Sequence, residues 1–145
     1  MARYDIHFDP ISAPNGARVF SFKYVGAVAV TGPRKMMNRW MKCLFTPKGS
    51  DPMDLNYGTM YASLFQSNIS SAEDVRDVVA LAIQDCNEQM VAMDGANLPD
   101  LDERFGGADI TAFTAVPDGF SVTVRLSNAA LASAVIDVPV QTLRV

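Results

Sequence analysis

Histidine is almost missing from this sequence. His7 is the only one in 145 residues, and it lies in an alternating stretch far from either cysteine. Nucleophilic catalysis needs a base beside the nucleophile, so a lone strand histidine argues for a structural role. Cysteine is equally scarce: Cys43 and Cys86 have no C-x-x-C spacing and read as two core thiols of a reduced compartment rather than a disulfide. No H-E-x-x-H, G-x-S-x-G or P-loop pattern occurs, and no group has metal-ligand spacing, so neither a cofactor nor a metal is expected. Long apolar runs are missing too. The longest, Val25 to Val30, falls far short of the ~20 residues that span a bilayer. A basic segment leading into an apolar one is lacking as well, so neither a membrane partner nor a secretory signal is expected. Positive charge is thin beyond residue 48: four basic residues stand there against fourteen acidic ones. With a pI near 4.8, nucleic acid is not an expected partner.

What is present describes a folded chain. Hydrophobic residues make up 49% and charged residues 19%, which excludes disorder, and the length suits one domain over 1–145. Residues 1–48 hold eight Lys/Arg against Asp5 and Asp9, so the two ends differ in sign. Such poles either orient a subunit in an assembly or cancel within the fold. Residues 3–11 alternate Tyr4, Ile6 and Phe8 with polar residues and end at Pro10, a strand pattern. Residues 17–30 read as a second strand or a bent pair, broken near Gly26. This 1–30 segment either completes the domain's own sheet or reaches a neighbour as an arm.

The helical part spans 31–107. Thr31-Gly32-Pro33 starts a helix with Met36, Met37, Trp40, Met41 and Leu44 on one face. Arg34, Lys35, Asn38, Arg39 and Lys42 lie on the other. Thr59 can cap a short helix carrying Met60, Tyr61, Leu64 and Phe65, closed by Gln66-Ser67-Asn68. Ser70 to Glu73 has capping-box spacing before a long helix with the stripe Val75, Val79, Ala82, Ile83, Cys86 and Met90, ended by Asp94-Gly95. Residues 94–107 read as loop. In 108–145, strands about Ile110–Val116 and Phe120–Leu126 flank the turn Pro117-Asp118-Gly119, a hairpin. Val135–Val140 forms a last strand, which Pro139 places at an edge. The class expected is α+β: a small antiparallel or mixed sheet with three helices on one side.

Between the first two helices, residues 45–58 hold Pro47, Pro52, Gly49 and Gly58. Proline fixes its own φ and pushes Thr46 and Asp51 toward extended backbone, while glycine permits positive φ. This is a structured loop, either a rigid connector or a binding element. The order Leu44-Phe45-Thr46-Pro47-Lys48-Gly49, then Pro52 with Asp51 and Asp54, then Tyr57-Gly58-Thr59-Met60-Tyr61-Ala62-Ser63-Leu64-Phe65, resembles the sheath-initiator family. These are small baseplate-wedge proteins of contractile phage tails, with relatives in type VI secretion baseplates. The resemblance runs from about Gly32 to the C-terminus.

It implies a structural, non-enzymatic subunit of the virion's tail baseplate, assembled in the host cytoplasm. Such a subunit joins the wedge core to the first sheath ring and starts the sheath by strand addition. Implied partners are the helical core bundle of the wedge, the sheath protein, and the tail tube or hub. The family commonly carries Glu-Pro-Arg before the strand that follows the long helix. Glu103-Arg104 stands at that place, without the Pro and with Phe105-Gly106-Gly107 inserted. Partner contacts are therefore expected at Thr46, Pro47, Lys48, Gly49, Tyr57, Gly58, Glu103 and Arg104. On the last strand, Val135, Ile136 and Val138 are expected to contact partners. From another class, a peptidoglycan-degrading glycosidase would need two facing carboxylates, for which Asp100, Asp102, Glu103 and Asp109 are the candidates.

Overall fold

In a computed structural model, which describes residues 7–12, 18–23, 31–66, 71–117 and 119–141, β1 (His7–Ser12) pairs antiparallel with β2 (Arg18–Lys23). Two α-helices follow, α1 (Pro33–Phe45) and α2 (Ala72–Asn97), with a 3₁₀ helix (Tyr61–Gln66) between them. The chain then forms β3 (Phe105–Val116), β4 (Gly119–Asn128) and β5 (Ser133–Gln141), an antiparallel sheet in the order β3-β4-β5. The class is α+β, with two α-helices rather than the three expected. The segment after Thr59 is too short for stable α-helix, and it closes with i−3 bonds such as Ser63 N–H to Met60 O at 3.0 Å. Thr59 does cap it, its Oγ1 accepting from the Tyr61 N–H at 3.2 Å.

β1 continues past Pro10, because each strand of a two-stranded ribbon has an unpaired side on which proline is tolerated. The two N-terminal strands share no ladder with β3–β5. The strand readings over 3–6 and 24–30, the cap at Ser70, the helix stop at Ser67-Asn68 and Asp118 of the hairpin turn lie outside the described residues.

α1 begins where the sequence places it, with Gly32 as N-cap and Pro33 in the first turn. Its apolar face is buried, but so is Asn38, which falls among the residues read as its polar face. α2 is capped by Ser71, one residue later than the expected box; its Oγ accepts from the Glu73 and Asp74 N–H groups, at 3.2 and 3.5 Å. All six residues of its predicted stripe are buried. The helix does not stop at Asp94-Gly95. Asp94 turns inward instead of breaking the helix, and the chain leaves at Leu98.

Alternation builds the sheet's inner face. Val122, Val124 and Leu126 of β4 are buried with Ile136, Val138 and Val140 of β5 beside them. Phe105 and Ala108 extend this face on β3 and share one core with Trp40 and Met41 of α1 and Val79, Ile83 and Cys86 of α2. Asn87 ties the layers: it accepts from the Trp40 indole N–H at 2.9 Å and donates to the Ala108 carbonyl at 3.0 Å. The opposite sheet face is polar, with Thr123 donating to Asp137 at 2.7 Å. Cys43 and Cys86 are free and buried between the helices, matching the thiol reading.

Candidate functional site

The loop after α1 is closed on itself. Thr46 caps α1, and the Thr59 N–H donates to the Thr46 carbonyl at 2.9 Å while Lys48 N–H donates back to Thr59 O at 3.1 Å. Pro47 and Thr59 thus bridge the two ends of an Ω-type loop. Its tip is built by side chains on nearby backbone: Asp51 accepts from Met53 N–H at 2.9 Å and Asp54 from Asn56 N–H at 3.0 Å. Gln89 of α2 clamps the base. Its amide oxygen accepts from Gly58 N–H at 3.0 Å, and its nitrogen donates to Gly58 O at 2.8 Å, as a strand neighbour would. Lys48 adds an ion pair to Asp85 at 3.0 Å.

Of the loop residues expected to meet partners, Pro47, Lys48 and Gly49 are exposed, Thr46 and Tyr57 half-buried, and Gly58 buried. Burial raises the Tyr57 hydroxyl well above its ordinary range. Met53 and Leu55, which the sequence reading passed over, stand out at the loop tip.

Glu103 and Arg104 lie elsewhere. They sit at the N-terminal end of α1, whereas the loop leaves its C-terminal end, so a helix of 13 residues, about 20 Å, separates the two. Glu103 closes over that helix start: Oε1 accepts from Gly32 N–H at 3.2 Å and Oε2 from Lys35 Nζ at 2.7 Å. Arg39 donates to the Glu103 carbonyl at 3.4 Å and pairs with the buried carboxylate of Asp94, which also accepts from Phe105 N–H at 2.6 Å. Arg104 turns the other way, donating to Pro99 O at 2.9 Å. Of the pair that reads in sequence as a surface motif, Glu103 thus forms an inward latch with Gly32, Lys35 and Arg39, and Arg104 stays outside it. Asp94, its central acid, reads in sequence only as part of a helix stop, with no sign that it turns inward.

The Lys35 hydrogen bond holds the Glu103 carboxyl below its ordinary value of 4.5. A depressed carboxylate adds stability above the unfolded-state pKa and loses it as pH falls through the folded one. The melting temperature of the wild type is therefore expected to exceed that of Glu103→Gln at pH 6–7. The two curves should converge below about pH 4, and a constant gap down to pH 2 would contradict the latch.

On β5, Val135 is exposed but Ile136 and Val138 are buried, so only their backbone lies near an edge. The edge itself can be phased. Pro139 has no N–H, and its carbonyl accepts from the Tyr61 hydroxyl, so this residue faces away from β4. By antiparallel alternation the backbones of Val135 and Asp137 face outward too. On β3 the Ala108 carbonyl, taken by Asn87, also faces outward. Beyond the bulge between Ile110 and Ala112, so do Phe113 and Ala115. Each edge is blunted at one end by a side chain and makes no ladder further along, among the described residues. Neither Tyr61 nor Asn87 is recognisable as an edge cap from sequence.

The glycosidase candidates are dispersed in role. Asp100 and Asp102 are exposed in the turn before β3, Glu103 is paired with Lys35, and Asp109 lies opposite Arg125 in the sheet. No protein-family model matches this chain, and no significant similarity to a curated protein or a solved structure was found.

Proposed function

We propose that this chain is a structural subunit of a contractile-tail baseplate wedge that joins the wedge core to the first sheath ring and initiates the sheath by strand addition. The observation that carries this reading is the pair of outer edges on β3 and β5, which make no ladder with any other strand among the described residues. An open edge offers N–H and C=O groups to an incoming strand with little demand on its side chains. The resemblance of 44–65 and of Glu103-Arg104 to sheath initiators supplies the assembly, with wedge proteins and sheath protein as partners and the virion's tail as location. A glycosidase is less well supported. A general acid needs a raised pKa, and Lys35 pushes that of Glu103 the other way.

The test is mass spectrometry of tails purified from the phage whose genome encodes the chain, with hydrogen exchange of the chain free and assembled. Expected are its presence in the tails and new amide protection on one outer edge of the sheet. Absence from tails overturns the baseplate role; equal protection in both states overturns strand addition.

A further inference from the structure

We propose that Cys43 and Cys86 are an oxidation site, which a peroxide converts to a disulfide that locks the loop between α1 and the 3₁₀ helix. The two cysteines sit level where α1 packs on α2, and each sulfur reaches across to the other's helix. Cys86 Sγ donates to Trp40 O, a turn before Cys43, at 3.4 Å. Cys43 Sγ donates to Gln89 Oε1, a turn after Cys86, at 3.5 Å. Once Cys43 is ionised it accepts hydrogen bonds instead, from the Cys86 thiol and from the Gly58 N–H. Both cysteines are free in the fold as it stands.

A buried thiol is ordinarily inert, because it stays protonated and nothing reaches it. Cys43 departs from this in both respects. The Cys86 hydrogen bond, aided by the Gly58 N–H, holds the Cys43 thiol below its ordinary value against the opposing effect of burial. The same bond, together with burial, raises Cys86. The pair is thus divided into a nucleophile, Cys43, and a resolving thiol, Cys86. The cover over Cys43 is also of a particular kind. Gly58 and Gln89, which lie against its sulfur, are the clamp of the loop rather than the middle of the core. Opening that clamp uncovers the sulfur, and a local opening costs less than global unfolding.

Hydrogen peroxide is small enough to enter through such an opening. The Cys43 thiolate attacks one peroxide oxygen and breaks the O–O bond, giving a sulfenic acid. The departing hydroxide takes up the proton that Cys43 has lost and leaves as water. The Cys86 sulfur then attacks the Cys43 sulfur and the S–S bond forms. The sulfenic hydroxyl departs with the Cys86 proton as a second water. Each cysteine has lost one electron, and the peroxide has gained both. The product ties the last turn of α1, from which the loop leaves, to the turn of α2 that carries Gln89. The loop's rigidity then follows the redox state of the pair. This rests on the packing of α1 against α2 and not on the baseplate reading.

The test treats the folded wild-type protein with hydrogen peroxide, blocks remaining thiols with N-ethylmaleimide under denaturing conditions, and maps the peptides by mass. Expected is one linked pair, Cys43 to Cys86 within a monomer, lighter by about 2 Da than its two thiol peptides together. The linked protein should melt about 5–10 °C higher than the untreated one. Proteolysis between residues 50 and 56 should slow. Dithiothreitol should reverse both changes, which sets them apart from methionine oxidation. Gln89→Ala, with a looser clamp, should link faster than the wild type. Cys86→Ala should instead carry Cys43 on to the sulfinic acid, with no rise in melting temperature. Two thiols still open to the maleimide after overnight treatment, a sulfinic acid at Cys43 of the wild type, or a link between two chains would overturn the site. A linked protein whose loop is cut at an unchanged rate would overturn the lock.

Discussion

Asp94→Ala is expected to destabilise the protein by about 3–5 kcal/mol, the usual consequence of removing one partner of a buried ion pair. Asp94 is 4% exposed and serves two donors from different parts of the chain, the Arg39 guanidinium and the Phe105 N–H. Alanine would leave the Phe105 N–H without its acceptor and the Arg39 guanidinium with only the Glu103 carbonyl. Arg39 retains some access to solvent, so part of its hydration is recoverable and the lower end of the range is the better expectation. Asp94→Asn keeps an acceptor for one donor and should cost less. Urea denaturation followed by circular dichroism measures both, and a loss below about 1 kcal/mol in the alanine variant would show that no buried charge had been uncovered.

Gly58→Ala is expected to cost a comparable amount, roughly 3–5 kcal/mol as backbone strain and overpacking combined. Gly58 has φ 98°, and a Cβ there would lie 2.3 Å from the Thr46 carbonyl oxygen and 3.0 and 3.1 Å from the Thr46 and Pro47 carbonyl carbons. All three are backbone atoms of the loop's other limb, so no side chain can swing aside. Relief would require opening the Pro47–Thr59 bridge, and with it the two Gln89 bonds. Limited proteolysis should therefore cut the variant between residues 50 and 56 much faster than the wild type. Gln89→Ala should show the same weakness in milder form. If Gly58→Ala melts like the wild type, the loop is a loose connector rather than a clamped element.

How much of this was legible beforehand depends on the range of the interaction responsible. The stripe Val75, Val79, Ala82, Ile83, Cys86 and Met90 could be read because a period near 3.6 encodes which side of a helix faces the core. Thr59 as a cap and Pro33 at a helix start were legible for the same reason, since each acts on backbone within a few residues. The short helix after Thr59 misled because its composition fits both helix types, and length decides between them.

By itself, then, the sequence determined the α+β class, α1, the start and buried stripe of α2, the β3–β4 hairpin, an edge strand at Pro139 and a structured loop over 45–58. Each follows from side-chain periodicity or from dihedral limits local to the residue. Only the tertiary structure decided that Asn38 and Asp94 turn inward, that Glu103 closes over the start of α1, and that Gln89 clamps Gly58. It alone also showed Tyr61 and Asn87 blunting the sheet edges and Arg104 fastening the turn before β3 to the β4–β5 turn. Each of these rests on a hydrogen bond or packing contact between residues far apart in the chain, and polar side chains carry no periodic mark of which distant backbone group they will meet.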